Sequence, residues 1–189
     1  MRGHDFRSEA SGTRVATAIR MGVHAARRLS GFDYIGPHAY SITCCTFSRR
    51  PWFTEAQTVD LVRSQLIHSS EEDRFAVLAY CFMPDHVHLL LEGTSQTSDL
   101  PLLIARWKQK TGYAHRCATN AVLWQGGFFD HVLRGEEDRE ALVRYIIANP
   151  IRAGLVLDVR EYPFWGSGVC TREEMIETLF DSRDSGRGG

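Results

Sequence analysis

Apolar residues in the middle of the chain change between two spacings, and each change marks an element. The stretch from Ala39 to Phe47 (AYSITCCTF) is β-branched and aromatic and predicts a strand. Between Thr54 and Ile67, apolar Val59, Val62 and Leu66 recur at helical spacing, with Thr54 placed to cap the helix. The apolar runs Phe75 to Phe82 and Val87 to Leu91 flank Met83-Pro84-Asp85, and two strands around a Pro-Asp turn make an antiparallel hairpin. Asp99 before Leu100-Pro101 opens a helix to about Cys117, because proline suits the first helical turn. Phe128 to Leu133 predicts another short strand. A helix from Glu137 to Ala148 is stopped by Pro150, which pushes Asn149 out of the α region. Ile151 to Gly154 adds one turn, closed by the glycine. This order of strands and helices predicts an α+β fold: one antiparallel sheet with helices packed on a face.

The ends are different. Residues 1–30 form a polar, Arg-rich extension, residues 31–165 the patterned domain, and residues 166–189 a tail that becomes rich in Ser, Gly, Arg and Asp. With 43% hydrophobic residues in 189, the chain can bury a real core. Its 22 basic and 23 acidic residues leave a net charge of -1, so contact with nucleic acid has to come from local basic clusters. The five cysteines are odd in number and include no C-x-x-C pair, which argues against a zinc site or disulfide framework and for reduced thiols in a cytoplasm. No apolar run is long enough to cross a bilayer, and the N-terminus lacks the apolar core of a secretory signal.

Three groups of residues carry candidate chemistry. His86 and His88 open a strand, where residues two apart share one face and their imidazoles can hold one metal. Taken alone, an H-x-H pair is more often structural, but two imidazoles leading into Leu89-Leu90-Leu91 are a poor choice for packing. Tyr145 and Asn149 lie four apart on the last helix and share a face, so a phenol nucleophile and an oxygen ligand can be presented together. Spacing alone favours plainer roles, a half-buried aromatic and a turn residue before Pro150. Arg106, Trp107, Lys108 and Lys110 could grip phosphate and stack a base, or equally form a core indole within a solvated charged face.

The segments FMPDHVHLLLE and LWQGGFFDHVLRGEEDREALVRYIIANPIRAGLV, with GFDYIGPHAYSITCCTFSRRPWF upstream, resemble the HUH-motif single-tyrosine transposases. The resemblance runs from about Gly31 to Trp165 and is nearest to the REP-associated tyrosine transposases, relatives of the insertion-sequence-200 enzymes. It implies a ferredoxin-like antiparallel sheet with helices packed on one face. It also implies that His86, His88 and Asn149 bind a divalent cation, Mg or Mn, and that Tyr145 attacks a DNA phosphate. The implied partner is single-stranded DNA with hairpins, such as REP-like palindromes, cleaved and rejoined by a monomer or homodimer at the bacterial nucleoid. The sequence departs from the family pattern at Asp85, where relatives often carry Asn, and at Phe128-Phe129-Asp130-His131, where they often carry Tyr-Tyr-Asp-His. An extra carboxylate at residue 85 would either tighten cation binding or repel the DNA phosphate. Asp130 and His131 are open to a ligand-orienting, a DNA-contacting or a structural role. The alternative functional reading is a non-catalytic hairpin-binding regulator derived from such an enzyme; a small unrelated metalloprotein would require a third His, Asp or Glu ligand.

Overall fold

The computed structural model describes residues 31–133 and 139–181. The Arg-rich extension, the first residues of the last expected helix and the end of the tail lie outside the described residues. Five strands form one antiparallel sheet: β1 (Ala39–Cys45), β2 (Phe75–Met83), β3 (His86–Gly93), β4 (Phe129–Val132) and β5 (Trp165–Gly166). Their order is β4-β1-β3-β2-β5. The hairpin forms where expected, with Pro84-Asp85 as its turn and Met83 paired to His86. The sheet centre, β1 beside β3, is set by the register from Ala39 opposite Glu92 to Cys45 opposite His86.

One face of the sheet carries the larger core. Tyr40, Ile42, Phe82, Val87, Leu89 and Leu91 project into it and meet α1 (Ala56–Glu72) and α2 (Leu100–Thr119). These are the helices expected on one face. α2 begins as the sequence predicts: the Asp99 side chain accepts from Leu102 N at 2.9 Å, with Pro101 in the first turn. α1 does not begin at Thr54. Its N-cap is Glu55, because the Thr54 hydroxyl donates back to Pro51 O at 2.8 Å instead of to the helix.

The opposite face carries a second layer that the sequence pattern did not place. Helix α3 (Arg139–Ile147) and α5 (Arg172–Ile176) cover Ala79, Cys81 and Leu90 with Ile146, Ile147, Met175 and Leu179. A bulge between Val77 and Ala79 lets β2 serve both layers, since it shifts the alternation so that Val77 faces one core and Ala79 the other. The expected tail from residue 166 is therefore wrong for its first part. Thr171 and Glu174 form a capping box that starts α5, and Met175 and Leu179 are buried. The cysteines are all free, with Cys44 and Cys45 buried on opposite faces of β1. Among the described residues, no helix is long and apolar enough to cross a membrane.

Gly93 ends β3 where no side chain fits: an added Cβ would overlap the Gly36 carbonyl oxygen and lie 3.0 Å from Ser98 Cβ. Gly93→Ala should cost roughly 2–3 kcal/mol through backbone displacement, read as a lower urea midpoint with an unchanged slope.

Candidate active site

Strand β3 starts at His86, directly after the hairpin turn, so its alternation fixes where the histidines point. Val87, Leu89 and Leu91 enter the larger core, while Leu90 packs in the α3 layer. His86 and His88 share the face of Leu90. Their rings meet edge-on with centroids 4.7 Å apart, and the two Nε2 atoms are 3.0 Å apart.

Each ring is held from behind. Asp85 Oδ1 lies 2.6 Å from His86 Nδ1, and Thr43 Oγ1 lies 3.0 Å from His88 Nδ1. Asp85 accepts from Nδ1–H, which leaves the lone pair of His86 on Nε2. Its other oxygen takes Arg49 Nη1 at 3.3 Å. Both Asp85 oxygens are thus engaged, one behind the His86 ring and one on Arg49, an arrangement of the kind that carboxylates adopt behind metal-binding histidines. The turn is itself pinned: Thr46 N donates to Asp85 O at 3.0 Å and Phe53 N to Pro84 O at 3.0 Å.

Burial, then the neighbouring His86, then the charges of Arg49 and Arg152, push the His88 imidazole down to about 3. His88 is neutral at any ordinary pH. The 3.0 Å between the Nε2 atoms is met either by one Nε2–H donating to the other ring or, with both lone pairs turned inward, by a cation between them. The Thr43 hydroxyl serves both states, since it can donate to His88 Nδ1 or accept from it. The donor set therefore fits a divalent cation, although among the described residues no cluster of three His, Cys, Asp or Glu side chains surrounds it.

Helix α3 brings Tyr145 to this face. Its first residue, Arg139, bonds Glu92 at the far end of β3 (2.9 Å), and Ile146 and Ile147 are buried against the hairpin. At 1.5 Å per residue the helix carries Tyr145 about 9 Å from that anchor, back toward the histidines. Beyond a kink at Ala148, α4 (Asn149–Arg152) follows, so Asn149 is not pushed out of the α region as expected but opens a new helical turn in which Pro150 takes an early position that needs no N–H. Asn149 Nδ2 donates to Tyr145 O at 3.0 Å and Ile146 O at 3.1 Å, closing the end of α3. That leaves Oδ1 as the acceptor of the Asn149 amide. The Arg152 guanidinium carbon sits 4.4 Å above the centre of the Tyr145 ring, and the same charge acts on His88. The phenol, the arginine and the imidazole pair therefore form one neighbourhood within a single chain.

The candidate DNA-contacting run is elsewhere. α2 packs on the opposite face of the sheet from the histidines. The Trp107 indole has no exposed surface, donates to Val62 O at 3.0 Å and packs 4.9 Å from Trp124, so it cannot stack a base. Arg106 binds Asp73 at 2.6 Å and Lys110 binds Glu72 at 3.0 Å. Lys108 holds the carbonyls of Gln125 and Gly127, each at 2.6 Å. Asp130 also belongs to that far face, where its Oδ2 accepts from Tyr34 OH at 2.6 Å. Nearer the histidines, α3 lies over β2 and β3, while Thr43 and Phe129 on β1 and β4 are half-exposed and His131 is exposed.

Sequence reasoning missed Thr43, Arg49 and Arg152. Only the strand pairing puts Thr43 opposite His88. Arg152 did leave a signal: it is seven residues after Tyr145, two helical turns along one face.

A family model described as "Transposase IS200 like" matches residues 36–149, from just before β1 to the first residue of α4. A REP-associated tyrosine transposase of Escherichia coli K12 is 28% identical over 105 residues, 55% of this chain and 61% of that protein. A Haemophilus influenzae protein of similar designation is 27% identical over 116 residues, 54% of this chain and 64% of its own length. The chain thus spans less than two thirds of either relative. A solved structure of a REP-associated tyrosine transposase bound to a REP hairpin matches with a TM-score of 0.63 and 25% identity, over 75% of this chain and 81% of that one.

The depressed His88 gives a pH test. The unfolded chain takes up this proton below about 6.5, whereas the fold refuses it until about 3. The unfolded state therefore binds more protons in that window, and stability falls as pH drops through it, by up to about 1.4 kcal/mol per unit from this residue. His88→Gln should show a shallower loss of stability between pH 6.5 and 4 in urea titrations; equal slopes would mean that the fold accepts the proton.

Proposed function

The chain belongs to the IS200-like transposase family, and from that premise we propose that it cleaves and rejoins hairpin-bearing single-stranded DNA through a covalent link to Tyr145. The observation that carries this reading is the convergence of the two Nε2 atoms on the face that α3 and α4 supply with Tyr145. In the proposed step Tyr145 Oη attacks the phosphorus. The bond from phosphorus to the phenol oxygen forms and the bond to the 3′ oxygen breaks. The phenol proton passes to solvent and the 3′ oxygen takes one up. A 5′-phosphotyrosine and a free 3′-OH result, and a second strand's 3′-OH reverses the exchange without an external energy source.

His86 and His88 would hold Mg or Mn through Nε2, with Asn149 Oδ1 as the oxygen ligand. Bound there, such a cation supplies a positive centre that draws charge from the phosphate oxygens in the transition state. The protein's part is preparation. Asp85 and Thr43 fix the ring orientations, burial keeps His88 neutral, and packing of α3 on the hairpin sets the position of the phenol.

α3 packs mainly over β2 and β3, and the half of this face over β1 and β4, where Thr43 and Phe129 are half-exposed, would give an unpaired strand a bed beside the histidines. The proposed substrate is a REP-like palindrome, by analogy with the hairpin bound in the solved relative, and the proposed site of action is the bacterial nucleoid. One chain carries the whole set of groups, so the enzyme acts as a monomer in this reading.

The test is a 3′-labelled oligonucleotide carrying a REP hairpin with unpaired flanks, incubated with the protein and Mn. A labelled adduct that survives denaturation is expected. It should vanish in Tyr145→Phe and fall at least 100-fold with chelator or in His86→Ala. Adduct formation undiminished by Tyr145→Phe would sink the proposal.

A further inference from the structure

The mechanism above assigns no task to Arg152, yet this side chain stacks on the ring of the proposed nucleophile. Its guanidinium carbon is 4.4 Å from the Tyr145 ring centroid. Stacking occupies the flat face of the guanidinium and leaves its edge of N–H donors free to bind an anion with two parallel hydrogen bonds. Other arginines of this layer are paired: Arg49 with Asp85, Arg139 with Glu92 and Arg144 with Glu140. Among the described residues no carboxylate pairs with Arg152. A cation held over a reactive phenol without a counter-ion is matched to an anion that arrives from outside.

The side chain is also well placed by its backbone. Arg152 N donates to Ala148 O at 3.1 Å, and the Asn149 amide ties the same turn to the end of α3. Any shift of α3 therefore moves the phenol and the guanidinium together.

We propose that Arg152 is a further catalytic residue that grips the phosphate attacked by Tyr145, donating from its N–H edge to a non-bridging oxygen. The inference rests on the function proposed above. As the phenol oxygen adds, negative charge grows on the equatorial oxygens, and a fixed guanidinium stabilises it without giving up a proton. The bonds formed and broken stay as described; Arg152 changes neither the nucleophile nor the leaving group. The contact ties one phosphate to one phenol, so Arg152 also helps choose which phosphate in the unpaired flank is cut.

The test compares charge with packing. Arg152→Lys keeps the charge, and Arg152→Met keeps an apolar stem over the ring without it. Single-turnover adduct formation with the 3′-labelled REP-hairpin oligonucleotide and Mn is measured beside hairpin affinity and melting temperature. Arg152→Met should form adduct about 10²–10³-fold more slowly, with hairpin affinity within a few-fold of the parent and melting temperature unchanged. Arg152→Lys should recover a clear part of that loss. Equal rates for the Met and Lys variants would assign Arg152 to packing alone, and a Met variant as fast as the parent would overturn the inference while leaving the proposed function intact. A parent protein that forms no Tyr145 adduct removes both.

Discussion

Strand β3 has to serve two layers at once, and the whole arrangement follows from that. Val87, Leu89 and Leu91 anchor it in the aromatic core under α1 and α2. Leu90 anchors the other side beneath α3. A strand gripped on both faces cannot slip by one residue, because a slip would bring His86 or His88, and with one direction Glu92, into the core positions of Val87, Leu89 and Leu91. The same grip fixes the direction of His86 and His88. Their convergence to 3.0 Å is a consequence of the core's register.

Around that fixed strand, neutral and charged partners do different work. Asp85 and Thr43 hold the outer ring nitrogens, and the low dielectric around His88 keeps a lone pair available. The cationic side chains stand at the margins. Arg49 is bound to Asp85, while Arg152 is stacked on Tyr145 and pairs with no carboxylate among the described residues. This sets a half-buried imidazole pair beside an exposed positive rim, which in the proposed reading suits an anionic polymer that must approach closely without being captured along its length. The overall charge of -1 agrees with attraction confined to such a rim.

Much of this was legible beforehand. The Pro-Asp hairpin, the Asp99 cap and the short β4 rest on local rules, and each appears within a residue or two of its expected bounds, whereas Pro150 opens α4 instead of forcing Asn149 out of the α region. Thr54 misled because its hydroxyl had a nearer acceptor in Pro51 O. Trp107 stayed open between base stacking and core packing because an amphipathic helix does not announce which of its residues faces the core; the structure takes the core alternative, with the carbonyl of Val62 satisfying the indole. The stretch after residue 166 looked like a tail because its apolar residues are few, yet Met175 and Leu179 find a ready-made surface in the α3 layer.

The sequence alone determined the element order, the α+β class and the pairing of His86 with His88 on one strand face, since these depend on spacings of two and of three to four residues. It also placed Tyr145 and Asn149 one turn apart. The tertiary structure decided which face of the sheet the histidines occupy and which helices share it. It decided that Thr43 stands behind His88 and that Arg152 lies over the phenol. Those facts arise from strand register and helix docking between segments up to a hundred residues apart, and no local spacing encodes them.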